Sequence, residues 1–220
     1  MAKSEVEWQF YSRRKDSSES RRNMPHIDMP GALTFVTFRL ADSMPKHVVR
    51  NWHDEIATWL HEHSLTGQTV EEVLLSSTVD DALKSELRRF KNRRWHGHLD
   101  DCHGDCILRV GAVRNVVAES LLHFDGQQYD VERFVIMPNH VHVLLQMRPD
   151  VLLRRQLRSL PQYSARAINR QIGRNGSLWQ AEPFDHVVRS EMQFEYLQKY
   201  IDDNPTRARL REGEYRLYHS

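Results

Sequence analysis

The alternation of apolar and polar residues along the chain predicts four short β-strands. Residues 33–40 alternate and are rich in β-branched and aromatic side chains, which favours a first strand that is partly apolar on both sides. Residues 129–137 and His140–Met147 form two further strands, and the turn signal Pro138-Asn139 between them predicts antiparallel neighbours. A fourth strand is predicted over residues 184–189.

Apolar residues that recur at steps of three and four predict three helices around these strands. The first spans residues 107–124 and the second residues 151–172, in which Pro161 is expected to kink or split the helix. The third follows Ser190, a good N-cap residue, and is expected to stop near residue 203, because Asn204-Pro205 comes next.

Residues 43 to about 105 differ from the rest of the chain because they combine helical spacing with many charges. We interpret them as a helical insertion after the first strand, since they are too polar to form a large core. Around this insertion the order is strand, helix, strand, strand, helix, strand, helix. That order predicts an α+β fold, a ferredoxin-like antiparallel sheet (βαββαβ) with helices on one face and an added C-terminal helix that carries Tyr200.

The same pattern predicts the domain boundaries. We expect a polar N-terminal arm over residues 1–30, a single domain over residues 31–210 that contains the insertion, and a C-terminal tail over residues 211–220. The arm carries three aromatic side chains that are candidates to dock on the domain: Trp8, Phe10 and Tyr11.

The composition is typical of soluble globular proteins, with 40% hydrophobic and 28% charged residues in a length of 220. No apolar run reaches transmembrane length and the N-terminus is polar, so we expect a cytoplasmic protein without a membrane partner. Cys102 and Cys106 lack the spacing of a structural zinc site, and we interpret them as free thiols in a reducing compartment. The neighbouring His103 leaves a weak option for metal binding.

Basic residues are unevenly distributed, although the net charge is only +1. Between Val151 and Ala181 there is no acidic residue, and six arginines occur there: Arg154, Arg155, Arg158, Arg166, Arg170 and Arg174. A local basic face of this kind is what binding to phosphates requires. A solvated helix surface is the alternative, and the charges alone leave both open.

Two histidines in the third strand are candidate metal ligands. His140 and His142 are two positions apart, so their side chains face the same way, whereas Val141 and Val143 face a core on the other side. Two imidazoles on one face can chelate a divalent metal if a third ligand comes from elsewhere. The alternative is a strand that carries two histidines by chance, because the chain has 13.

Tyr200 and Asn204 lie one helical turn apart on the last predicted helix, at the edge of its apolar stripe. The phenol of Tyr200 is a candidate nucleophile, and the amide oxygen of Asn204 is a candidate third ligand for the histidine pair. Tyr196 and Tyr163 are rival tyrosines. The alternatives are a packing role for Tyr200 and a helix-terminal role for Asn204.

Four motifs in a fixed order carry a family resemblance. They are Met137-Pro138-Asn139-His140-Val141-His142, Trp179-Gln180, Phe184-Asp185-His186-Val187-Val188-Arg189, and Tyr200 with Asn204-Pro205. As a set they resemble the HUH single-tyrosine transposases of the insertion-sequence type, and in particular the branch of REP-associated tyrosine transposases. The resemblance covers residues 33–40 and about 107–210, and leaves out the arm and the insertion.

The resemblance implies an enzyme that cleaves and rejoins single-stranded DNA. Tyr200 would attack a phosphodiester and form a 5′-phosphotyrosine, while His140, His142 and Asn204 would hold Mg²⁺ or Mn²⁺. The expected partner is single-stranded DNA with imperfect palindromic hairpins. Three of these residues are the expected catalytic set: Tyr200, His140 and His142.

A larger set is expected to contact the DNA. Its members are arginines of the second helix and residues of the later motifs: Arg154, Arg155, Arg158, Arg166, Arg170, Trp179, Gln180, His186 and Arg189. Trp179 is equally compatible with a place in the core, and His186 with packing near Trp179.

Other functions remain open from the sequence. A non-catalytic, domesticated hairpin-binding protein would keep the same fold, and a metal-dependent hydrolase would act without a covalent step. The protein is expected to be a monomer or a homodimer, because members of this superfamily can exchange the tyrosine helix between protomers. A DNA-processing role also implies association with the nucleoid.

Overall fold

The computed structural model describes residues 6–10, 18–21 and 25–220, with the backbone alone for residues 18–21 and 25–28. Tyr11 and much of the predicted N-terminal arm therefore lie outside the described residues. The chain divides into two compact units: unit 1 comprises Met1–Ala41 with Asp105–Ser220, and unit 2 comprises Asp42–Gly104. The boundaries that we inferred from the pattern, at residues 30 and 210, stay predictions.

Unit 1 is built on an antiparallel sheet. Its strands in chain order, after the ribbon β1 Ser18–Arg21 and β2 Pro25–Asp28, are β3 Leu33–Arg39, β4 Tyr129–Ile136, β5 His140–Met147, β6 Phe184–Val187 and β7 Arg216–His219. Across the sheet the order is β6-β3-β5-β4-β7, with every neighbouring pair antiparallel. The predicted α+β fold with a ferredoxin-like βαββαβ order is confirmed, and β7 extends the sheet at the edge beside β4.

Unit 2 contains three helices: α1 Lys46–Glu62, α2 Val70–Leu75 and α3 Asp81–Asp100. A capping box between Thr69 and Glu72 begins α2. Trp59 and Ile56 of α1 pack with Leu87 of α3 in a small apolar core. This core is modest, as expected for a segment so rich in charge.

The other three helices cover the two faces of the sheet in unit 1: α4 Gly111–Leu122, α5 Leu153–Ile172 and α6 Glu191–Arg207. Val141 and Val143 point to one face, where they pack with residues of α4 and α5. Leu33 and Phe35 point to the other face, where they pack with Ile201 of α6. The period of two along the strands thus separates the sheet into two different cores.

The first predicted helix begins later than the pattern indicated, so that its N-terminal boundary was wrong. Ile107–Arg109 is a single 3₁₀ turn, and Cys106 before it has a left-handed backbone with φ of 50°. The turn is fixed because Leu108 is fully buried and its amide donates to the carbonyl of Pro138 at 3.2 Å. Regular α-helix therefore starts only at Gly111.

The predicted split of the second helix at Pro161 is wrong, because α5 is one continuous element from Leu153 to Ile172. Proline removes one amide donor from the helix. Leu157, Leu160 and Ile168 are buried on both sides of it, which anchors the helix to the core across the lost hydrogen bond.

The last helix also continues past its predicted end. Asn204 and Pro205 lie inside α6, which runs to Arg207, and the amide of Ala208 donates to the carbonyl of Asn204 at 3.0 Å. Ile201, Asn204 and Pro205 are buried, so packing on the sheet holds this turn in helical form despite the proline. Asn204 is therefore an interior helix residue rather than a terminal one.

Candidate active site

The histidine pair lies under α6. His140 and His142 alternate with Val141 and Val143 on β5, so their rings point away from the α4 and α5 core. Both histidines are fully buried, and their ring centroids are 4.6 Å apart. The histidines therefore do not lie on a half-exposed strand.

Neighbouring side chains fix the orientation of both imidazoles. Nδ1 of His140 lies 2.7 Å from Oδ1 of Asn139, and Nδ1 of His142 lies 2.8 Å from Oγ1 of Thr37. Since an amide oxygen can only accept, Nδ1 of His140 donates to it, and we assign the same tautomer to His142. In this tautomer each Nε2 keeps a lone pair, which is the form that a metal ligand requires.

Tyr200 approaches the pair from the helix. Its hydroxyl lies 3.3 Å from Nε2 of His142, and the two ring centroids are 5.1 Å apart. Asn204 is one turn further along α6 and fully buried. The four residues singled out in the sequence therefore share one face of the sheet.

The rival tyrosines lie elsewhere. Tyr196 is 66% exposed, and its ring is 6.4 Å from the ring of Tyr200, on the outer side. Tyr163 is 65% exposed and belongs to α5, which covers the opposite face of the sheet. Among the three tyrosines, Tyr200 is the one whose hydroxyl contacts the histidine pair.

The strand β3 contributes residues that we did not single out from the sequence. Thr37 pairs with His142 and Arg39 with His140 in the antiparallel register, so these side chains share a face. Arg39 is buried, and burial lowers the pKa of its guanidinium, which nevertheless stays protonated at neutral pH. Only their pairing with the two histidines across the strands identifies Thr37 and Arg39, and that pairing is known only once the register of the strands is known.

Two further side chains frame the tyrosine. The ring of Phe35 stacks on His142 at 5.2 Å and meets Tyr200 edge-on at 6.0 Å. The guanidinium of Arg207 lies 5.4 Å from the centroid of the Tyr200 ring, which places a cation on its outer side. The Tyr200 ring therefore has both an aromatic ring and a positive charge as close neighbours.

His186 borders this site but is not part of the metal set. Its Nε2 lies 3.2 Å from Nε2 of Gln193, and its ring is 5.4 Å from that of Phe35. Burial, with a smaller contribution from Arg189, lowers the pKa of His186 to about 4. The imidazole is thus neutral at pH 7 and does not offer a positive charge to a phosphate.

Trp179, one of the residues predicted to contact DNA, lies in the core instead. It is 6% exposed, and its indole donates to Oγ of Ser164 at 3.0 Å. Its ring meets Phe38 in the core under α4 and α5, so it has no free face on which a base could stack. His186 faces the other side of the sheet, and the alternative of packing near Trp179 is also wrong.

The other predicted DNA contacts lie at or near the surface. Five arginines are exposed on the outer side of α5, opposite its buried leucines: Arg154, Arg155, Arg158, Arg166 and Arg170. None of the five forms an ion pair with another described residue, whereas Arg174 lies 3.5 Å from Asp105. Arg189 is exposed and Gln180 half-buried. The α5 arginines are separated from the histidine pair by the sheet.

None of the helices in the described part of the chain is both long enough and apolar enough to cross a bilayer.

The fold and the site together define a class: a small antiparallel sheet with paired histidines on a central strand beneath a tyrosine-bearing helix. A family model described as "Transposase IS200 like" matches residues 112–204, which include His140, His142, Tyr200 and Asn204. Over this segment the match agrees with the predicted resemblance to the single-tyrosine transposases of the insertion-sequence type. No curated protein matches the chain.

One solved structure with a similar chain path is titled "Structure of the REP associates tyrosine transposase bound to a REP hairpin". It is 13% identical, the alignment covers 86% of this chain and 73% of that one, and the TM-score is 0.41. A superposition this loose carries no argument about function.

Proposed function

We propose that this protein is a metal-dependent single-tyrosine DNA strand transferase that acts on hairpin-forming single-stranded DNA. The observation that carries the proposal is the contact between the Tyr200 hydroxyl and Nε2 of His142 at 3.3 Å, beside a second buried imidazole. The transposase domain supplies the reaction class, and these residues supply the chemistry.

The reaction is a transesterification at phosphorus. The phenol oxygen of Tyr200 attacks the phosphorus, the bond to the 3′-oxygen breaks, and that oxygen leaves as a hydroxyl after gaining a proton. The product is a 5′-phosphotyrosine, whose bond energy allows later joining to another 3′-hydroxyl. The phenol proton passes to water, and the Tyr200 hydroxyl, 3.3 Å from Nε2 of His142, lies beside the position proposed for the cation.

The residues present fit a divalent cation. The two Nε2 atoms and the amide of Asn204 would hold it, with Asn139 and Thr37 orienting the rings. A metal there would polarise the non-bridging phosphate oxygens and neutralise their charge. Mixed nitrogen and oxygen donors suit Mn²⁺ better than Mg²⁺, which prefers oxygen. Arg39, opposite His140 on β3, adds a fixed cation to the same face.

The basic side of α5 is the proposed hairpin contact. Its five arginines are exposed and lack acidic partners among the described residues, so their charge is available to a phosphate backbone. Because this side lies across the sheet from Tyr200, the contact would hold the hairpin while the cleavage point reaches the other face.

A second function is favoured by the closure of the site. His140, His142 and Asn204 are fully buried and Tyr200 is 8% exposed, so DNA can reach the phenol only if α6 moves. A protein in which α6 stays closed would bind hairpins without cleaving them.

The test separates the two functions. The full chain is incubated with labelled single-stranded hairpin DNA and Mn²⁺, with and without EDTA, and the products are run on a denaturing gel. The proposal predicts strand cleavage that EDTA abolishes. Tight binding with no cleavage under either condition would establish the binding function instead.

A further inference from the structure

Three metal-ligating side chains converge at the C-terminal end of α3, in unit 2. One ligand atom from each of His98, Asp101 and His103 lies within 4.8 Å of the others. We propose that these residues form a second metal site, which binds Zn²⁺ or a similar transition-metal dication and is separate from the pair His140 and His142.

The distances are close to those of a metal site. Nδ1 of His98 lies 3.9 Å from Oδ2 of Asp101, and Nε2 of His103 lies 4.0 Å from the same oxygen. Ligand atoms around tetrahedral Zn²⁺, with bonds near 2.0–2.1 Å, are roughly 3.3 Å apart. Asp101 is exposed and His103 partly exposed, so small side-chain rotations bring the three atoms to that separation.

Glu55 prepares His98 for this role. Its Oε2 lies 3.1 Å from Nε2 of His98, which directs the Nε2 hydrogen to the carboxylate and leaves the lone pair on Nδ1, the atom that faces Asp101. A carboxylate behind a ligating imidazole is the usual support of a zinc-bound histidine.

The carboxylate is itself fixed. Nε of Arg94 donates to Oε2 of Glu55 at 2.8 Å. A second hydrogen bond, from Nη2 of the same guanidinium to Oε1, makes the pair bidentate. The support therefore exists before any metal arrives, because α1 and α3 of unit 2 hold it.

The backbone brings the other two ligands to His98. The helix ends at Asp100, and the amide of Cys102 donates to the carbonyl of Leu99 at 3.0 Å. Cys102 adopts a left-handed conformation with φ of 54°, which a residue other than glycine seldom does. This reversal places His103 near Asp101 on the helix end.

The donor set selects the metal. Two imidazoles and one carboxylate suit Zn²⁺, Cu²⁺ or Ni²⁺, whereas Mg²⁺ and Ca²⁺ prefer oxygen ligands alone. Bound there, the ion would tie the last turn of α3 to the segment that follows it and stabilise unit 2 against unfolding.

The test compares zinc binding by the full chain and by exposed-site variants. Equilibrium dialysis with Zn²⁺, followed by elemental analysis, gives the number of bound ions and their affinity. Asp101→Ala and His103→Ala each remove one ligand from a solvent-accessible position, so neither threatens the fold. His61→Ala, which removes an exposed histidine outside the cluster, is the matched control.

We expect each ligand variant to bind one ion fewer than the wild type, or to bind the ion at this site at least about tenfold more weakly. Glu55→Ala, which removes the support and not a ligand, should weaken binding by a smaller factor. His61→Ala should match the wild type. Equal numbers and affinities in the wild type, Asp101→Ala and His103→Ala would overturn the proposal.

Discussion

The two faces of the sheet in unit 1 are formed by the same strands but differ in chemistry. Under α4 and α5 the side chains of β5 are aliphatic, such as Val143 and Leu145. Under α6 the same strand presents His140 and His142, and β3 presents Thr37 and Arg39. Burying such polar groups is unfavourable unless they are hydrogen-bonded. The face under α6 therefore depends on hydrogen bonds to these groups as well as on apolar packing.

The polar groups of the α6 face are held by specific partners. Asn139 and Thr37 lie within hydrogen-bond distance of the two imidazoles, and the ring of Phe35 stacks on His142. The proposed reactive groups therefore lie on one face of the sheet, whereas β5 contributes only apolar side chains to the core on the other face. Substitutions on the two sides should therefore have separable effects.

The largest expected effect compares two residues of the same strand. His142→Ala should lower DNA cleavage by at least about 100-fold, since it removes a proposed ligand and the partner of Tyr200. Leu145→Ala, on the other face, should destabilise the fold by about 2–5 kcal/mol and leave the cleavage rate of folded protein nearly unchanged. Cleavage assays and urea unfolding measure the two quantities. An equal loss of cleavage in both variants would contradict the proposed difference between the two faces of the sheet.

A smaller effect is expected at Thr37, which orients His142 without contacting DNA. Thr37→Val keeps the shape but leaves Nδ1 of His142 without its partner, so Mn²⁺ affinity should fall about tenfold. Thr37→Ser retains the hydroxyl and should restore the affinity. Mn²⁺ titration followed by electron paramagnetic resonance gives both values, and a serine variant as weak as valine would rule out the positioning role.

The α5 arginines should affect binding more than cleavage. Arg158→Ala with Arg166→Ala is expected to weaken hairpin binding and to lower the salt slope by about one unit for each lost phosphate contact. Arg88→Ala with Arg89→Ala, which removes two exposed arginines of α3, is the charge-matched control. Fluorescence anisotropy of hairpin binding at salt concentrations from about 50 to about 300 mM measures the slope. A slope equal to that of the wild type would exclude this contact.

A separate effect, on folding stability and not on DNA, concerns His186 and pH. Its pKa is about 4 in the folded protein and near 6.5 when unfolded, so the unfolded chain binds more protons between these values. Stability from this residue is therefore fully present above pH 6.5 and is lost as the pH falls toward 4, by about 3 kcal/mol. Urea unfolding of wild type and His186→Gln across this range tests it, and the variant should lose less stability on acidification. An identical decline in both proteins would contradict the assignment.

Much of this architecture follows from local patterns. The period of two in residues 140–147 places the histidines on one side of the strand and the valines on the other. The spacing of four residues places Asn204 one helical turn after Tyr200 on the same face of the helix. The transposase resemblance then connects these two elements, which are far apart in the chain. No pattern predicted β7, because its half-buried residues at the edge of the sheet alternate weakly.

Other features depended on contacts that no local signal contains. The place of Thr37 and Arg39 beside the histidines follows only from the register between β3 and β5. Pro161 and Pro205 indicated helix breaks, but burial of their neighbours outweighs the loss of one hydrogen bond each. Trp179 has the right chemistry for stacking on a base, and its place in the core is set by Ser164 and Phe38.

The most direct test of the α6 face as a reactive site is the search for a covalent protein–DNA adduct. The full chain is incubated with Mn²⁺ and hairpin DNA, the denatured products are digested, and the modified peptide is identified by mass spectrometry. Tyr200→Phe and Tyr196→Phe are compared. We predict an adduct on Tyr200 that persists in Tyr196→Phe and disappears in Tyr200→Phe, and an adduct that persists in Tyr200→Phe would contradict the account.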